Sequence, residues 1–150
     1  MGLDSVCGTG TRVDIGGTTY SLARLGIGAF GEVVAEIKRR RWVEVRAAMD
    51  AFRDAPADVI KEYLDPMVAK AKQPVDFEGE ASDEFDGFMQ SPGGACFVFW
   101  VLVRVRHPEV NSTDKARALL DELAPSEIKQ LALDIIKTSG LEELQEAVKN

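Results

Sequence analysis

The stretch Ala95-Cys96-Phe97-Val98-Phe99-Trp100-Val101-Leu102-Val103 decides the fold. It is apolar on every side, so periodicity does not separate a buried strand from a buried helix, and its β-branched and aromatic content favours a strand. Its surroundings argue the other way. Helical patterns flank it and no partner strands are evident nearby, so we read it as the central helix of a small bundle, with Trp100 largely buried. It is about half the length that a membrane-spanning helix requires, and Arg104 and Arg106 close it. The chain therefore reads as soluble.

Downstream, Asn111-Ser112-Thr113-Asp114 precedes a helix with Ala116, Leu119, Leu120 and Leu123 on one face. Pro125-Ser126 opens another, carrying Ile128, Leu131, Ala132, Ile135 and Ile136 and ended by Gly140. A last short helix holds Leu141, Leu144 and Val148. Upstream, Val13 and Ile15 alternate with polar residues, Gly16-Gly17 follows, and Tyr20 and Leu22 alternate again. That is a two-stranded hairpin over residues 12 to 23 with a glycine turn.

From Ala29 to about Arg53 the period becomes helical. Phe30, Val33, Val34 and Ile37 make one apolar stripe; Val45, Ala48, Met49 and Phe52 make another. Arg41 falls where the stripe should continue, which predicts either one bent helix or two short ones around Trp42. Pro56 suits the first turn of the next helix, with Asp54 as a nearby cap and Ile60, Tyr63, Leu64 and Met67 as its buried face. Pro66 predicts a kink or restart at Asp65.

With 150 residues, 45% hydrophobic and 29% charged, the chain suits one domain over residues 12–150, mainly α, behind a flexible terminus over residues 1–11. The formal charge is −7. Asp76, Glu78, Glu80, Asp83, Glu84 and Asp86 fall between Gln73 and Pro92 without a single Lys or Arg. Like charges so close together resist compaction, so residues 74–94 read as an acidic mobile loop, with Phe77, Phe85, Phe88 and Met89 as apolar anchors that order on a partner or cover a groove. The negative balance argues against nucleic acid as the main partner, since phosphate binding needs a basic footprint. Lys38-Arg39-Arg40-Arg41 is the local exception and reads as a solvated face. Cys7 and Cys96 lie in no CxxC or His-rich setting and read as free thiols, and the first ten residues lack the pattern of a secretory signal.

No motif carries catalysis or a metal. Leu25-Gly26-Ile27-Gly28-Ala29-Phe30-Gly31-Glu32-Val33 copies a kinase glycine loop, and Val34-Ala35-Glu36-Ile37-Lys38 mimics the strand that bears the ATP lysine. But Lys38 follows too soon, and neither a His-Arg-Asp nor an Asp-Phe-Gly element is present. Gly26, Gly28 and Gly31 are better read as a tight connection from hairpin to helix. The sole histidine, His107, stands before Pro108 as a helix-end cap. No serine lies in a nucleophile elbow, and the acidic run lacks the spacing of a calcium loop. Trp42, beside the basic run and off the main stripe, is a candidate for partner contact, together with Phe85, Phe88 and Met89.

Three features together resemble the tail assembly chaperones of long-tailed bacteriophages. One is the hairpin running through Leu22-Ala23-Arg24-Leu25 into Gly28-Ala29-Phe30-Gly31-Glu32-Val33. Another is the aromatic and aliphatic helix Phe97 to Val103 followed by Arg104-Val105-Arg106-His107-Pro108-Glu109-Val110. The third is the pair of short amphipathic helices from Asp114 to Leu123 and Ser126 to Thr138. The resemblance covers roughly residues 12 to 140 and rests on residue type and order. It implies a non-enzymatic helical protein of the host cytoplasm, without a cofactor, that binds the tape-measure protein and keeps its hydrophobic helices soluble. The tail-tube protein is a possible second partner, often through a longer frameshifted form. The alternatives are a structural or adaptor component of the particle, or a small nucleotide-binding regulator.

Overall fold

A computed structural model of the chain describes residues 11–75 and 82–138. Residues 1–10 of the expected flexible terminus, residues 76–81 of the acidic run and the expected last helix through Leu141, Leu144 and Val148 lie outside the described residues, as do Cys7, Phe77 and Gly140. The architecture is mainly α: six helices and one antiparallel hairpin among the described residues. In chain order these are β1 (Arg12–Ile15), β2 (Thr18–Ser21), α1 (Ile27–Ala51), α2 (Ala57–Lys72), α3 (Ser82–Gln90), α4 (Pro92–Val103), α5 (Thr113–Leu120) and α6 (Pro125–Thr138).

The chain divides into two compact units. One lies within Val34–Phe85, and the other is formed by the segments on either side. Both crossings fall inside helices, the first in α1 and the second in α3.

The hairpin pairs Arg12 with Ser21 and Ile15 with Thr18. Gly16 and Gly17 turn it at φ of 56° and 81°, a pair of left-handed residues whose twist matches the flanking strands. Ile15, Leu22 and Leu25 are buried, and Ala23 N–H donates to the Leu102 carbonyl at 2.9 Å, tying the hairpin's exit to the end of α4. The segment that decides the fold is a helix: α4 buries Cys96, Val98, Phe99, Val101, Leu102 and Val103, and it packs on α5. Trp100, expected in the interior, is half-buried, on a side of this helix that it shares with the likewise half-buried Gly93, Phe97 and Arg104.

α1 is a single helix of 25 residues. Phe30, Val33, Ile37 and Val45 are buried along it, and Arg41 occupies the gap in the stripe without breaking it. In α2, Pro56 stands at the N-cap rather than inside the first turn, and no side chain caps it, Asp54 included. Pro66 does not restart the helix, which runs on to Lys72. Pro66 and Glu62 are both exposed, so water can satisfy the carbonyl that proline leaves without a donor. Tyr63 lies outside the buried face, 58% exposed, with its ring stacked on Phe52 at 5.3 Å and 14°.

The acidic loop is the largest departure. Ser82–Gln90 is helical, and Pro92 already belongs to α4. Two physical terms outweigh charge repulsion here. Phe85, Phe88 and Met89 stand at helical spacing and are all buried, and Glu84 is neutralised by Arg41.

Candidate functional site

Ser91-Pro92-Gly93-Gly94 makes the corner between α3 and α4. Ser91 Oγ accepts from Gly94 N–H at 3.1 Å and donates to the Phe88 carbonyl at 2.7 Å, while Pro92 takes the first helical turn, where its missing N–H costs nothing. A β-carbon on Gly94 would sit 1.7 Å from the Phe88 carbonyl oxygen, so only glycine permits this corner. The corner fixes Phe88, whose ring meets Phe97 edge-on at 6.3 Å, and Met89. Met89 lies beneath a small, partly open cleft together with Val98, Phe99, Leu120, Leu131 and Ile135. All the residues around it are apolar.

Of the four residues expected to bind a partner, the structure places three in the interior. Phe85 is 2%, Phe88 8% and Met89 1% exposed, which removes them as free anchors. Their helical spacing, the same signal that marks any buried helix face, identifies them as core once α3 is recognised as a helix. Trp42 is different. It is 37% exposed on the side of α1 that also carries Arg46 and Met49.

The basic run divides by direction. Lys38 and Arg39 are exposed, as a solvated face requires, but the Arg41 side chain is only 11% exposed. Its guanidinium grips both carboxylate oxygens of Glu84, with Nε donating to Oε2 at 2.9 Å, and its remaining arm donates to the Gln73 carbonyl at 2.6 Å. Arg41 thereby ties the middle of α1 to the end of α2 and the start of α3. Glu36 accepts from Arg39 and Arg40, and the Arg39 hydrogen bond holds its carboxyl below the usual glutamate range against the opposing effect of burial. On α4 the Arg104 guanidinium lies 4.3 Å over the Trp100 ring and pairs with Glu32. Trp100 Nε1 is buried without a hydrogen-bond partner among the described residues.

The glycine-loop segment does not form a phosphate cradle. Ile27 onward is helix, and Gly28 and Gly31 lie on its open side, where an added β-carbon meets nothing. Only Gly26 belongs to the connection. His107 does not cap its own helix. Its Nε2 accepts the Ser21 backbone N–H at 3.0 Å, its Nδ1 lies 3.3 Å from Glu109 Oε1, and its ring stands 5.0 Å from Tyr20. Cys96 is a buried free thiol that donates to the Thr113 carbonyl, and burial pushes its pKa up, away from the reactive thiolate. Among the described residues no group of three His, Cys, Asp or Glu side chains gathers to hold a metal ion, and no helix is long and apolar enough to cross a membrane.

Sequence reasoning overlooked Arg41 and Gly94. Arg41 carried a signal in its place on the apolar stripe, and Gly94 in the Ser-Pro-Gly-Gly run, a helix-start pattern set aside as loop. No family model, no curated protein and no solved structure matches the chain.

Proposed function

We propose that the chain is a non-enzymatic tail assembly chaperone of a long-tailed phage, which binds the tape-measure protein in the host cytoplasm and keeps it soluble while the tail assembles. The observation that supports the reading is a small apolar cleft whose partly exposed lip is Ala95, Ile128 and Ala132, set over the buried Met89, Val98, Phe99, Leu120, Leu131 and Ile135. A client with exposed amphipathic helices is held by a surface that accepts an apolar face and offers no competing polar group. The segments that carry the family resemblance form the hairpin, α4, α5 and α6, and α4, α5 and α6 all contribute to the cleft. The formal charge of −7 suits a protein that must keep a sticky client in solution.

The test is co-expression with a tape-measure protein of a long-tailed phage. The client should stay in the soluble fraction and co-purify with the chain, and the chain should be absent from purified particles. Ala132→Glu, which sets a charge in the cleft wall, should weaken capture roughly tenfold or more. Stoichiometric recovery of the chain from finished particles would instead favour a structural or adaptor role.

A further inference from the structure

Ala35, Arg39, Trp42, Arg46, Met49 and Arg53 follow one another at steps of four, three, four, three and four residues. From Ala35 to Met49 that is the alternation of a heptad seam on α1, about 21 Å long at 1.5 Å per residue, and Arg53 follows in the turn beyond the helix. All six are exposed. The seam is also regular in chemistry: one set of positions carries Ala35, Trp42 and Met49, and the other carries arginine every time. Its carboxylate neighbours, Glu36 and Asp50, lie to the flank, where each pairs with an arginine of the row. Arg46, at the centre, has no ion-pair partner among the described residues. In a chain of net charge −7, an uninterrupted arginine row beside two large exposed apolar side chains is the reverse of the surface average.

We infer that this side of α1 is one strand of a two-stranded coiled coil, completed by an acidic amphipathic helix of another protein. That helix presents Asp or Glu opposite the arginines and aliphatic residues opposite Trp42 and Met49. Charge selects the occupant. A second copy in parallel register sets arginine against arginine at the levels of Arg39 and Arg46, a repulsive arrangement that disfavours self-pairing in that register. A helix instead lies along the row, rests its apolar residues on the two exposed side chains and the Arg46 stem, and brings its carboxylates to the guanidinium heads.

The inference rests on the reading of the chain as a partner-binding protein, but not on the identity of the client. Its test uses the full chain carrying Trp100→Phe, so that Trp42 alone reports. Two synthetic helical peptides are titrated, identical with leucine at one seam position and differing only in Glu or Lys at the other. The Glu peptide should bind at least tenfold tighter and shift Trp42 emission to the blue, and Arg46→Glu should reverse the preference. Equal affinities, or a preference that Arg46→Glu leaves unchanged, would overturn the proposal. So would a Trp42 shift on phosphatidylglycerol vesicles without one on the Glu peptide, or a dimer in sedimentation that Arg46→Glu dissolves. Failure to capture a tape-measure fragment while the peptide preference holds removes the client and leaves the seam.

Discussion

Arg41 and Glu84 meet through two hydrogen bonds across 43 residues of chain. This one pair explains both why α1 is unbroken and why an acidic segment folds as helix. With the arginine largely covered and the carboxylate half-buried, losing either partner strands a charge where water reaches it poorly. Arg41→Ala and Glu84→Ala should each lower unfolding stability by about 2 kcal/mol in urea, and the double variant should cost clearly less than their sum. Additive losses would show that the pair is not coupled.

The glycines make a contrast within one unit. Gly94→Ala forces a methyl group into the Phe88 backbone and should cost about 3 kcal/mol, with the α3–α4 corner distorted. Gly31→Ala adds the same methyl on an open side of α1 and should raise stability by roughly 0.5–1 kcal/mol through helix propensity. Thermal melts of the two variants check both signs.

Replacing His107 removes the acceptor of the Ser21 amide. His107→Ala should cost about 1 kcal/mol and speed hydrogen exchange at Ser21, leaving the β1–β2 ladder amides protected. Unchanged exchange at Ser21 would show that water replaces the imidazole without loss.

Glu36 has its folded pKa depressed, so its contribution is present above the ordinary glutamate range and fades as pH falls through the lowered value. Glu36→Gln should therefore be less stable than the parent at neutral pH, with the gap closing in acid. A gap that widens in acid would contradict the assigned sign.

Trp100 keeps its indole N–H covered and unpaired, and that costs stability even while the ring contributes through Phe97 and Arg104. Trp100→Phe removes the orphan donor together with some contact area, two opposed effects, and should change stability by less than about 1 kcal/mol. Trp100→Ala should cost about 2 kcal/mol or more in the same melts.

The parts legible in sequence were those fixed by local rules. Gly16-Gly17 between alternating residues specified the hairpin, and the four-residue spacing of Ala116 and Leu120 and of Leu131 and Ile135 specified α5 and α6. The parts that were not legible depend on partners remote in the chain. Arg41 counts as an interruption until Glu84 is known to face it, and the acidic run counts as a loop until Phe85, Phe88 and Met89 are seen to share a buried side. Trp42 was singled out correctly as exposed. The arginine row beside it went unread because the basic run was taken as one block, although its members point in different directions around the helix.

The crossings between the two compact units lie within α1 and α3, so no linker separates them. A segment acquired as a cassette normally keeps loose ends at its seams, where recombination can insert or remove it without cutting a hydrogen-bonded helix. Here excision of residues 34–85 severs two helices at once and leaves four raw ends. A fragment that stops at either crossing therefore opens a helix, and neither unit is expected to fold when cut there.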